Sequence, residues 1–166
     1  MAARAHIYSG QGFSLQRDKN RFVLPNPIRA TVKESSGGKA VLCLAKHDRW
    51  TCLTGFGLSR VDDFAAQIAR EEETALKKGV DFDRDLRSMQ LYGFFEVPFD
   101  GSGRFVMPEH LASLANIEGE LFFQGAGEFF TVWNPDELAS MPSGLEFAQA
   151  ACANLRAKET AKAKKG

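Results

Sequence analysis

The stretch Asp100-Gly101-Ser102-Gly103-Arg104-Phe105-Val106-Met107-Pro108 has a partial twin at Asp18-Lys19-Asn20-Arg21-Phe22-Val23-Leu24-Pro25. In both, an arginine is followed by Phe-Val, a long apolar residue and proline. The two arginines, like the two prolines, stand 83 positions apart. A fixed internal spacing marks a duplicated unit, and the rest of the chain is read from it. Ahead of each copy the chain alternates with the period of a half-buried strand: Phe13 and Leu15 against Ser14 and Gln16, then Phe95, Val97 and Phe99. Asp18-Lys19-Asn20 and Asp100-Gly101-Ser102-Gly103 are turn chemistry, because Asn and Gly tolerate the left-handed backbone. Arg21 to Leu24 is a second short strand, so a hairpin is expected over Phe13–Leu24, with its twin from Phe95 to Met107.

Working outward, each copy continues in the same order. Asn26-Pro27 starts a helix, with Asn26 as cap and Pro27 in the first turn, and Ile28 and Val32 facing the core. Ala40 to Ala45 is an apolar run fit for a buried strand, and Trp50 to Thr54 pairs back on it. In the second copy these become a helix at Pro108–Leu114, a strand at Leu121-Phe122-Phe123 and a return strand at Phe129–Trp133. Between the copies, Ser59 is expected to cap a helix whose stripe is Val61, Phe64, Ala65, Ile68, Ala75 and Leu76, with Glu73 pairing Lys77 and Gly79 stopping it. A second helix over Asp83–Tyr92 is expected to point Leu86 and Met89 inward. Asn134-Pro135-Asp136 caps a short helix, and an Ala-rich helix runs from about Leu145 to Lys158, with a frayed Lys-rich end through Gly166.

The organisation is therefore a first β unit at 10–58, linking helices at 59–93, a second β unit at 94–140 and a C-terminal helix and tail at 141–166. The class is α+β. Four short strands bury little alone, so two units meeting across a pseudo-two-fold axis are expected to close one barrel and hide their edges.

Composition narrows the function classes. The chain has 166 residues, 44% hydrophobic and 25% charged, as in soluble globular proteins. The start, Met1-Ala2-Ala3-Arg4-Ala5-His6, has no apolar signal core, no run is long enough to span a membrane, and the odd cysteine count of 3 points to reduced thiols in cytoplasm. Cys43, Cys52 and Cys152 have no ligand spacing, and His6, His47 and His110 stand apart from them, so no metal or other cofactor is expected. Net charge is zero but uneven. Residues 1–50 carry nine basic and three acidic residues (+6), 51–98 carry −3, 99–150 carry −7 and 151–166 carry +4. A basic first half is able to face phosphate although the average is neutral.

A D-x-x-G-R turn followed by x-x-x-P, present twice with a helix pair between, resembles the MraZ family of bacterial transcriptional regulators over about Gly12 to Ser140. The resemblance implies tandem AbrB-like (SpoVT-AbrB, swapped-hairpin) units in one barrel. It also implies a repressor, associated with the nucleoid, that assembles into a ring-shaped homo-oligomer. Such a repressor binds short G-containing repeats in double-stranded DNA at the promoter of the division and cell-wall gene cluster. The first motif departs from the pattern: four residues before Arg21 stands Arg17, and Asn20 replaces the glycine. A turn one residue shorter puts Asp18 in the acidic place and keeps Phe13 and Leu15 in pleat phase with Phe95 and Val97.

On this reading Arg21, flanked by Arg17 and Lys19, is the candidate for base contact, since a two-stranded ribbon fits the major groove and Arg pairs both acceptors of a guanine. Arg29, Lys33 and Arg4 are candidates for phosphate contact, which positions without specifying. Arg104, in the acidic stretch, is expected to pair with Asp100 and hold its turn, with Gly101 and Gly103 supplying the turn angles. No enzyme is expected: Gly101-Ser102-Gly103 lacks the Lys-Ser/Thr of a phosphate loop, and neither Cys43 nor His47 has a visible base–orienter set. No membrane partner or small-molecule substrate is expected. The competing reading is an oligomeric protein-interaction scaffold docking through its acidic half.

Overall fold

The computed structural model describes residues 6–165, so Arg4 lies outside the described residues. In chain order the elements are β1 (Gln11–Leu15), β2 (Arg21–Val23), α1 (Asn26–Ser35), β3 (Val41–Lys46), β4 (Leu53–Phe56), α2 (Phe64–Lys78), α3 (Arg84–Tyr92), β5 (Phe95–Pro98), β6 (Arg104–Val106), α4 (Glu109–Leu114), β7 (Glu120–Gly125), β8 (Phe130–Trp133), α5 (Pro135–Ala139) and α6 (Glu146–Lys165). Asn134 caps α5 by accepting from the Asp136 N–H, and Gly79 ends α2 in the left-handed conformation, both as expected.

β3 pairs with β4 and β7 with β8 as expected, but the two motif-bearing hairpins do not form. β1 does not pair with β2, nor β5 with β6. Instead β1 pairs with β7, β5 with β3 and β4 with β8, so strands of 10–58 lie in ladder with strands of 94–140. The result is a six-stranded antiparallel sheet, β1-β7-β8-β4-β3-β5, and a separate ribbon of β2 and β6. Among the described residues no sheet closes on itself, so the expected barrel is not seen as a closed ladder. The ribbon instead bridges the sheet's two free edges through a few hydrogen bonds. Ser14 Oγ accepts the Val23 N–H (2.9 Å) beside β1, and Asp100 N–H reaches Arg104 O (3.0 Å) beside β5.

The pairing exchange follows from burial. Phe22 faces Phe105 across the ribbon, and both, with Leu24 and Met107, are buried in a cluster that also contains Leu42, Val97, Leu121 and Val132. A hairpin of β1 and β2 alone would have offered these side chains one thin sheet; crossing the two copies places them between ribbon and sheet. The other face of the sheet is covered by helices. α6 closes over Phe13, Phe122, Trp133 and Cys52, while Phe64 at the start of α2 covers Cys43 and Phe56.

Several local expectations are corrected. Ser59 does not cap α2; it lies in a 3₁₀ turn, Leu58–Asp63, and its hydroxyl meets that of Ser35 at 2.6 Å. The α2 stripe is buried only at Phe64 and Ile68, and Leu76 is 75% exposed. Leu86 and Met89 point outward, at 54% and 74% exposure. The inner face of α3 is instead set by Arg87, which pairs Asp48 (3.0 Å) and Glu71 (2.9 Å), and by Leu91. The Lys-rich end is not frayed: α6 stays helical to Lys165. Its alanines favour helix, and lysines in the last turn complement the helix dipole. Among the described residues no helix is long and apolar enough to cross a membrane.

Candidate nucleic-acid interface

The ribbon places the repeated motif against itself. Arg21 lies opposite Val106, Phe22 opposite Phe105 and Val23 opposite Arg104. With Phe22 and Phe105 directed inward, Arg21 and Arg104 stand diagonally on the same outer face, about 7–8 Å apart along the backbone. The two arginines, one from each copy, share one ribbon. Arg21 is exposed, and among the described residues its guanidinium has no ion pair. Arg104 is half exposed and held at one edge only, with Nε donating to Asp100 Oδ2 at 2.7 Å.

The two turns sit at opposite ends of this ribbon and are built from different residues. In the second, Asp100 Oδ1 accepts the N–H groups of Ser102 and Arg104 (both 2.9 Å), and Gly103 adopts φ 86°. The backbone bond from Arg104, supported by its side chain and by Ser102, holds the Asp100 carboxyl below the ordinary aspartate value. Because the folded value is the lower one, the stabilisation is complete above the ordinary value of about 3.9 and is lost as pH falls through the depressed value. The melting-temperature gap between wild type and Asp100→Asn is accordingly expected to be constant from pH 5 to 8 and to shrink below about pH 4.

In the first turn Arg17, not Asp18, occupies the place of Asp100. The Arg17 N–H bonds Arg21 O at 2.7 Å, matching the 3.0 Å bond from Asp100 to Arg104. The shorter-turn alignment that favoured Asp18 is thus overturned, and Asp18 lies exposed one residue further on, with no ion pair to Arg21 among the described residues. Phase misled because β1 is covered on both faces. Ser14, not Phe13, takes the inward place of Val97, opposite Leu121 as Val97 is opposite Leu42. Phe13 points to the outer face, under α6, and the matching Glu96 is exposed.

Asn20 takes the place of Gly103. It sits at φ 60°, its side-chain amide donates to Met107 O (2.7 Å), and its carbonyl accepts the Met107 N–H (3.1 Å). Asn20→Ala is expected to lose about 1–2 kcal/mol, from left-handed strain and a lost hydrogen bond, and Asn20→Gly less than about 1 kcal/mol. Thermal melts of both variants check it.

Arg17 and Lys19 are exposed at the first turn, beside a shallow concavity lined by Asn20, Glu109, Ser113, Asn116 and Glu118. Lys33 is exposed in the last turn of α1. Arg29 does not lie beside the first turn: it is half-buried and donates to Gly101 O (3.3 Å) in the second. No composition or periodicity signal pointed to that placement, because it depends on the exchange of strands.

His47 and the three cysteines are buried. The His47 Nδ1 accepts the N–H groups of Arg49 and Trp50 (both 3.1 Å) and its ring stacks on Trp50. Burial lowers its pKa, so it stays a neutral acceptor. Burial also pushes the Cys43 and Cys52 thiols up to about 12 and Cys152 to about 11. None is a thiolate nucleophile at neutral pH.

No protein-family model matches the chain. It is 28% identical over 117 residues to the transcriptional regulator MraZ of Methylococcus capsulatus, covering 70% of this chain and 72% of that protein. The likeness is to MraZ. A second MraZ, from Alcanivorax borkumensis, is 26% identical over 128 residues, covering 77% and 83%. The MraZ of Caulobacter vibrioides is 28% identical over 156 residues, covering 90% and 92%. At nine-tenths of this chain, the last match takes in both copies of the motif and reaches α6.

Proposed function

We propose that the protein is a cytoplasmic, sequence-specific DNA-binding transcriptional repressor with two AbrB-like units. The β2–β6 ribbon enters the major groove, and Arg21 and Arg104 each pair a guanine edge. The single observation that carries this reading is the placement of two arginines diagonally on one exposed ribbon face. Their spacing is close to two base steps of about 3.4 Å, and a two-stranded ribbon fits the groove. Arg17, Lys19 and Lys33 supply phosphate contacts. The interleaved strand pairing is what a swapped-hairpin fold requires, and the names of the MraZ relatives support a regulator.

Several subunits in a closed ring, each engaging one of a series of repeated boxes, would gain strength by avidity. The exposed apolar residues Leu76, Leu86, Met89 and Phe147 support such self-association. The test is a gel shift with the DNA upstream of the protein's own gene at two salt concentrations, against a scrambled duplex. A specific complex that weakens steeply with salt is expected. Equal binding to both duplexes, or none, sinks the reading in favour of a protein scaffold.

A further inference from the structure

We infer that Arg29 is a positioning residue that sets the second turn of the ribbon, and not a contact to the DNA backbone. The inference deepens the DNA-binding reading and rests on it for its consequence, though not for its geometry. Arg29 belongs to α1 of the first copy, yet its Nη1 donates to Gly101 O of the second copy at 3.3 Å. Its guanidinium lies directly under Gly103. A β-carbon on Gly103 would stand 3.0 Å from Arg29 Cζ, 3.0 Å from Arg29 Nη1 and 2.8 Å from the Leu24 carbonyl. The Gly103 carbonyl in turn accepts the Leu24 N–H at 2.8 Å. Arg29 Nε is buried and has no hydrogen-bond partner among the described residues.

A cation that leaves one donor buried and unpaired is held there by packing, since that donor costs free energy wherever water cannot reach it. The planar fork fits under a turn residue that has no side chain. Arg104 is the next residue along, and its backbone N–H is one of those gripped by Asp100. Arg29 therefore holds the turn at Gly101 and Gly103 while Asp100 holds it at Ser102 and Arg104, and together they aim Arg104. The first turn has no such support, because the residue 83 positions on from Arg29 is Ala112. Gly103 is thus needed for two reasons, its φ of 86° and the space its missing side chain leaves for Arg29.

The two roles predict different data. A phosphate contact contributes to the salt dependence: its loss weakens all duplexes alike and lowers the slope of log K against log salt by about one per subunit. A positioning residue leaves the slope unchanged and lowers only the preference for the specific duplex. The experiment measures four variants, Arg29→Ala, Arg29→Lys, Gly103→Ala and, as a phosphate-contact control, Lys33→Ala. Affinities are taken for the upstream duplex and a scrambled duplex over a salt series, and amide hydrogen exchange at Ser102 and Arg104 is followed without DNA.

Arg29→Ala, Arg29→Lys and Gly103→Ala are each expected to lose about ten-fold or more in the ratio of specific to scrambled affinity, with an unchanged slope. All three are expected to speed exchange at Ser102 and Arg104, while Lys33→Ala does neither. Lysine keeps the charge but not the planar fork, so its failure to rescue separates shape from charge. A reduced slope in Arg29→Ala with rescue by Arg29→Lys overturns the inference, and so does unchanged exchange at the two amides. If the wild type shows no DNA preference, the repressor reading fails, while the exchange data still decide whether Arg29 holds the turn.

Discussion

Arg21→Ala is expected to abolish preference for the specific duplex while leaving the melting temperature nearly unchanged. Arg21 is exposed and its side chain makes no ion pair among the described residues, so the folded state loses little. A bidentate guanine contact contributes about 1–3 kcal/mol of discrimination, and that loss is multiplied over the subunits engaged at repeated boxes. Arg104→Ala is expected to reduce the same preference but also to lower the melting temperature, because it removes the 2.7 Å pair that steadies Asp100. Paired titrations and thermal melts of the two variants check both expectations. A wild-type preference in Arg21→Ala would mean that the ribbon face is not what reads the bases.

The second large effect is on stability. Phe22→Ala is expected to cost about 3–5 kcal/mol, as for other buried phenylalanines. Phe22 is 0% exposed and sits 6.3 Å from the ring of Phe105, centroid to centroid. The ribbon has only three residue pairs, so apolar packing, more than its ladder, joins it to the sheet. Removing Phe22 therefore loosens the one element that contains both copies of the motif. Denaturant unfolding should show a lower midpoint for Phe22→Ala, and a similar one for Phe105→Ala. A loss below about 1 kcal/mol in both would mean that the ribbon is not part of the cooperative core.

Local preferences were strong enough to be legible in the chain alone wherever one residue type dictates a backbone conformation or one side chain satisfies a nearby donor. Gly79 ending α2, Asn134 capping α5 and the left-handed Asn20 are of this kind. The duplication at a spacing of 83 made the α+β order and the Asp100–Arg104 pair legible as well. The pairings of β3 with β4 and of β7 with β8 were legible too, but the chain alone did not determine the partners of β1, β2, β5 and β6, because alternating apolar residues fit any antiparallel partner equally well. That choice was made by burial of Phe22 and Phe105 between ribbon and sheet, a contact between residues far apart in sequence. It also decided that Ser14 and not Phe13 turns inward, since α6 covers the outer face of β1. Arg29 went beneath the second turn and Arg21 came beside Arg104 for the same reason: exchanged strands bring the two copies together, and no local rule records which copy a side chain will meet.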